Sequence, residues 1–207
     1  MNKILLTLTL TILFSQFVNA QSGHMKDPVS FKLKNGLTVV VAENNGAAKV
    51  FSSFTYEADL IDQINKTGAK EILTAMLNST AASQANQVSF TEKGGNINAV
   101  TSDFEMALQA LSVSVQEPMM EPELFDKHKT ELIRSVKARD RFYPETFTEE
   151  TLAALTLNDV KTLYDAMSVP SKSYLTIAGN ITTGQAKILA KKAFGSWKAV
   201  ASTEISK

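Results

Sequence analysis

Gly68-Ala-Lys-Glu-Ile-Leu-Thr-Ala-Met-Leu77 and Gly94-Gly-Asn-Ile-Asn-Ala-Val-Thr-Ser102 are the two stretches that decide how this chain is read. In the first, Ile72, Leu73, Met76 and Leu77 recur at helical spacing, so one helix face is apolar and faces a core. In the second, two glycines lead into a short strand, Asn96 to Ser102. Upstream, Val29-Ser-Phe-Lys-Leu33 alternates apolar and polar residues, and Asn35-Gly36 turns the chain into Leu37-Thr-Val-Val-Val41. Asn-Gly between two such runs signals a hairpin, because both residues tolerate positive φ. Asn44-Asn-Gly46 leads into a further strand, about 49 to 57.

Downstream, Phe104, Leu108, Leu111 and Val115 keep helical spacing as far as Pro118. A second helix is expected from about Pro122 to Arg139, with Phe125, Leu132 and Val136 on its apolar stripe. Thr156 and Asp159 have the spacing of a capping box for a third helix, which carries Val160, Leu163, Tyr164 and Met167 and stops near Pro170. Ser173 to Ala178 reads as a strand. Thr182 or Thr183 opens a last helix that Gly195 closes. Strands and helices mixed in this order predict an α+β domain: a mostly antiparallel sheet with helices packed on one face.

Lys3, the apolar run Ile4 to Val18 and the small residues Val18-Asn-Ala20 have the form of a secretory signal peptide, residues 1–20. A flexible start (21–28), one domain (29–198) and a tail (199–207) follow. Export implies a periplasmic or secreted protein with no membrane span after cleavage. Removing the signal takes away Lys3 and no acid, leaving 20 basic and 21 acidic residues. Such a balance offers no electrostatic footprint for nucleic acid. With no Cys in the chain, disulfides and thiolate metal sites are excluded.

These segments, in this order, resemble one half-domain of the insulinase/pitrilysin-like metallopeptidases. Phe31 to Val41 is similar to that family's first hairpin, and Gly94 to Ser102 to its Gly-Gly-x-x-Asn-Ala-x-Thr-Ser strand. Leu155 to Tyr164, Ile177 to Thr182 and Lys192 to Trp197 resemble its later elements. The family's helix carries His-x-x-Glu-His, which binds zinc and supplies a general base. Aligned on Met76-Leu77, the first ligand, the base and the second ligand fall on Glu71, Thr74 and Ala75. The third ligand, a Glu on a later helix, falls near Ser135, or on Glu131 after a slip of one turn. The resemblance therefore implies a fold whose zinc ligands are absent, with no catalytic residue and no cofactor. It also implies a missing strand between Ser102 and Ala107, and a missing second half that would complete a substrate chamber.

His128 stands at the border of an apolar stripe and reads as a satisfied boundary residue rather than a ligand; the chain's only other histidine is His24. Asp103, Asp140, Glu145, Glu149 and Glu150 read as solvated acids. Asn65, Asn78 and Asn180 match the glycosylation pattern, an incidental match in a chain with a bacterial-looking signal. The resemblance implies that the second stretch is an edge strand taking an extended peptide by β-addition, with Gly95, Asn96, Asn98, Ala99 and Thr101 as the contacts. The alternative is an ordinary strand paired inside the sheet, or an edge covered by a partner.

The functional expectation is an exported, non-catalytic homologue that binds peptide or complements a catalytic partner half-domain, in a homodimer or with another protein. Two alternatives stand beside it: a subunit of a zinc-dependent metalloendopeptidase whose active site is supplied in trans, and a solitary envelope binding or scaffold domain.

Overall fold

A computed structural model describes residues 25–57, 66–139 and 141–198. The expected signal peptide, the start as far as His24, Asn65, Asp140 and the tail lie outside these residues. The strands are β1 (Val29–Lys32), β2 (Thr38–Glu43), β3 (Lys49–Tyr56), β4 (Val88–Thr91), β5 (Gly94–Val100) and β6 (Ser173–Gly179). The helices are α1 (Ala69–Ala82), α2 (Phe104–Gln116), α3 (Pro122–Ala138), α4 (Glu149–Ala153), α5 (Leu157–Met167) and α6 (Thr183–Phe194). Six strands form one sheet in the order β1-β2-β6-β3-β5-β4. Every neighbouring pair is antiparallel except β2 and β6, which run parallel with Thr38 opposite Tyr174 and Glu43 opposite Gly179. Among the described residues, no helix is long and apolar enough to cross a membrane.

The alternation expected of a sheet covered on one side is plain in the central strands. Val50, Phe54, Ile97, Ala99, Leu175 and Ile177 point inward and are buried, together with Val39 and Val41 of β2. Phe51, Asn98, Tyr174 and Thr176 point to the other face and stay exposed. The inward side chains meet the apolar stripes of α1 (Ile72, Leu73, Met76, Leu77) and α2 (Phe104, Leu108, Leu111, Val115), the same residues that carry the helical spacing in the sequence. α3 packs on α1 as an outer layer and buries only Phe125 and Leu132.

Local signals explain the ends of the elements. Thr156 and Asp159 make both bonds of the capping box, and so do Thr182 and Gln185, which fixes Thr182 as the start of α6. Gly195 does cap α6, but in a right-handed conformation (φ −67°) rather than the left-handed one its glycine suggests. A side chain there would instead meet the Lys191 carbonyl. Asn35 does more than turn the first hairpin: its amide donates to the Phe194 and Trp197 carbonyls and so ties the hairpin to the end of α6. Met25 bridges Asn44, and Lys26 N–H donates to the Glu43 carbonyl, so these two residues of the expected flexible start are held against β2.

Two elements were not evident in the sequence. β4 has four residues, too few for its alternation to stand out, and α4 has five. As the resemblance implies, no strand separates Ser102 from Ala107: the chain turns at Thr101–Asp103 straight into α2. β5 lies directly against β3.

Candidate functional site

α1 presents Glu71, Ala75 and Ser79 at four-residue spacing, one above another on a face not used by the core. α3 faces this row with His128, Glu131 and Ser135. Between the two helices is a cleft of about 290 Å³, floored by Ile72, Ala75 and Leu132 and rimmed by Glu71, His128, Glu131, Ser135, Arg141 and Tyr143. The structure thus brings Glu71 and Ala75 together with both Glu131 and Ser135. Thr74 turns toward β4 and lines a neighbouring cleft of about 400 Å³ with Asn78 and Phe90.

The polar groups of the first cleft are largely committed to one another. Ser79 Oγ lies 2.9 Å from His128 Nε2, and His128 Nδ1 lies 3.0 Å from Glu131 Oε2. His128 is therefore the satisfied boundary residue expected, with a side chain only 11% exposed. Ser135 Oγ shares a 2.6 Å hydrogen bond with the Tyr143 hydroxyl, and the Arg141 guanidinium stands 4.5 Å above the Tyr143 ring. Among the described residues, no three His, Asp or Glu side chains converge closely enough to hold a metal ion.

Burial raises the pKa of Glu71, and the Arg141 charge offsets only part of that. A carboxyl with a raised folded pKa adds stability below its unfolded pKa and loses it as pH rises through the folded value. Glu71→Gln is therefore expected to be more stable than the parent at pH 7, with the difference closing below about pH 4. Urea denaturation at the two pH values checks this.

The second stretch departs from expectation. β5 is not an edge strand over Gly94–Ile97: β3 pairs with it on one side and β4 on the other, and Asn98 N–H reaches the Gln87 carbonyl. Its backbone is spent inside the sheet, so peptide addition at Gly95 and Asn96 has no free ladder to use. Gly95 serves packing, because a Cβ there would lie 2.4 Å from Leu111 Cδ1 and 2.8 Å from the Phe90 ring. Ala99 is buried toward the helices, and the Thr101 hydroxyl donates to the Asn180 carbonyl. Of the five expected contacts, only Asn96 and Asn98 present side chains to the uncovered sheet face, around a depression of about 310 Å³ beside Phe51.

β4 is the outer strand, and Asn78 covers it. The Asn78 amide donates to the Phe90 carbonyl (2.9 Å) and accepts from the Phe90 N–H (2.8 Å), reproducing two bonds of a β-ladder with one side chain. Its second hydrogen goes to the Thr74 carbonyl, so this nitrogen is not free for a glycan. Sequence reasoning saw Asn78 only as an incidental acceptor. The alternation of Val88 and Phe90, one loop after α1, is the signal that could have placed a strand beside it. Asn78→Ala is expected to cost about 1–3 kcal/mol and to promote self-association through the uncovered edge, measurable by denaturation and analytical ultracentrifugation.

No family model and no curated protein matches the sequence. Solved structures do match the fold. A protease from Helicobacter pylori superposes with a TM-score of 0.73 at 14% identity, over 89% of this chain and 54% of that one. A peptidase M16 inactive domain from Pseudomonas fluorescens gives 0.67 at 12%, over 84% and 51%. The fold is that of one half of an insulinase-like M16 peptidase. The periplasmic protease PqqL from Escherichia coli also matches the fold, with a TM-score of 0.70 at 13% identity over 89% of this chain and 25% of PqqL. The chain thus spans about half of the first two structures and a quarter of the third.

Proposed function

We propose that this chain is an exported M16-like half-domain that is not itself a peptidase and acts by holding peptide or by completing a catalytic partner half-domain. The observation that carries this reading is the chemistry of the α1–α3 cleft. The positions that the family resemblance assigns to zinc ligands line this cleft, where they offer a carboxyl, a methyl and a hydroxyl from Glu71, Ala75 and Ser135, or a second carboxyl in place of the hydroxyl if Glu131 takes the third position. Zinc needs three protein donors at about 2.0–2.2 Å, and neither one carboxyl nor two meets that. Thr74, at the base position, has a hydroxyl too weakly basic to take a proton from water. His128 is already engaged by Ser79 and Glu131. The residues present do not fit the metal, and no hydrolytic step runs through it.

The quadruple variant Glu71→His, Thr74→Glu, Ala75→His, Ser135→Glu tests the reading. It is expected to retain one zinc per chain after dialysis, while the parent retains none. A quadruple variant that folds but takes up no zinc means that the α1–α3 cleft is not a lapsed metal site.

The uncovered face of the sheet supports the binding half of the proposal. Phe51 and Tyr174 are large, half-exposed rings on a surface where Asn96 and Asn98 add amide groups, the mixture suited to covering by a peptide or by a second domain. The likenesses to a periplasmic protease and to an inactive M16 domain point the same way. Affinity purification of the mature chain from its native envelope separates the outcomes. Recovery of an M16 protein bearing His-x-x-Glu-His makes this chain the non-catalytic half of a working peptidase. Recovery of a lone monomer leaves a solitary binding or scaffold domain.

A further inference from the structure

α1 and α3 are joined by hydrogen bonds whose order has a chemical meaning. A carboxylate can only accept, so Glu131 fixes the hydrogen of the neutral His128 ring on Nδ1 and leaves the Nε2 lone pair facing the Ser79 hydroxyl. Nucleophile, base and orienting acid in this order are what acyl-transferring enzymes on unrelated folds share, and the set is recognised by geometry rather than by spacing in the chain. His128 also borders the cleft, and Ala75, one turn before Ser79 on the same face of α1, forms part of its apolar floor with Ile72 and Leu132. Ser79 itself is half-buried one turn beyond that floor, on the same helix face.

We propose that Ser79 is an activated nucleophile, with His128 as its general base and Glu131 as the group that orients the ring, and that it accepts acyl groups from carboxylic esters. Ser79 Oγ attacks the ester carbonyl carbon while its proton passes to His128 Nε2. The carbon–oxygen bond to the alcohol then breaks, and the leaving oxygen takes that proton. Water repeats the sequence on the Ser79 ester: it gives a proton to His128, the acid departs, and Ser79 regains its hydrogen. Esters are the fitting class because Ser79 lies inside a helix, where N–H groups are committed to carbonyls four residues back. The oxyanion has no backbone cradle there, which places the amide bond of a peptide out of reach and leaves esters with good leaving groups. The zinc-restoring variant leaves Ser79, His128 and Glu131 unaltered, so the two readings are tested by different substitutions.

The test is to treat the mature chain with an alkyl fluorophosphonate, a stand-in for the ester in which the phosphorus–fluorine bond is broken, and to locate the adduct by peptide mass mapping. A single adduct on Ser79 is expected, absent in Ser79→Ala and formed at least about 100-fold more slowly in His128→Gln. Glu131 is half exposed, so Glu131→Gln keeps the fold if His128→Gln does not, and is expected to slow labelling as well. An unmodified Ser79, or labelling at the parent rate in the variants, overturns the proposal and leaves the hydrogen bonds as a tie between two helices.

Discussion

Gly94→Ala is expected to destabilise the fold by at least about 3 kcal/mol. Gly94 has φ +132°, and a Cβ built on it would lie 1.9 Å from the Phe54 carbonyl oxygen. Backbone on both sides of the contact holds the two groups together, because Gly94 pairs with Thr55 of β3 and with Thr91 of β4. Neither can retreat without opening the sheet. Gly95→Ala should cost less, since its Cβ would meet the side chains of Leu111 and Phe90, which can shift. Urea denaturation of both variants gives the ranking. It also decides what the Gly-Gly pair is for: glycines kept for close approach of a peptide would tolerate alanine in the isolated chain. Parent-like stability in Gly94→Ala contradicts the hairpin geometry described for β4 and β5.

Phe54→Ala carries the other large effect, a loss of about 3–5 kcal/mol. Phe54 is fully buried on β3, a strand in the middle of the sheet. Its ring stacks on Phe194 with centroids 5.7 Å apart, tilts against Trp197 at 5.8 Å and meets Tyr56 edge-on at 5.0 Å. Aromatic pairs in these geometries add to the area they bury, so truncation removes both terms and leaves a cavity between the sheet and α6. Trp197 is the only tryptophan in the chain, and its fluorescence reports this cluster directly. A shift of the urea midpoint by less than the equivalent of about 1 kcal/mol would mean that the cluster repacks around the gap.

Periodicity made much of this fold legible. Ile72, Leu73, Met76 and Leu77 on α1 and Phe104 to Val115 on α2 were readable because a helix that covers a sheet must repeat its apolar residues every three to four positions. Caps were readable for a similar reason: Thr156 with Asp159 is a local chemical arrangement that needs no tertiary partner. β4 was hidden because four residues hold too little pattern, and it occupies the flank of β5 that the family resemblance left as an edge. The site was legible only in pieces. Glu71 and Ala75 could be placed by the family motif and Ser135 only to within a turn, but nothing local brings Arg141 and Tyr143 to them. The same holds for Ser79 and His128, 49 residues apart, whose contact depends on how α3 lies across α1. Asn78 illustrates the limit most sharply, since its use as a substitute strand is a property of the α1–β4 contact and not of any short motif.

The place of β6 in the sheet has a consequence for how the molecule is assembled. This strand, the last of the six in the chain, lies between β2 and β3 and supplies a partner to each. More than 120 residues separate Glu43 from its partner Gly179, and closing such a loop is slow and must precede the reward of the ladder. A nascent chain stopped before Ser173 leaves both β2 and β3 with an empty flank. The polypeptide therefore cannot lock into its native sheet until residues 173–179 have been synthesised.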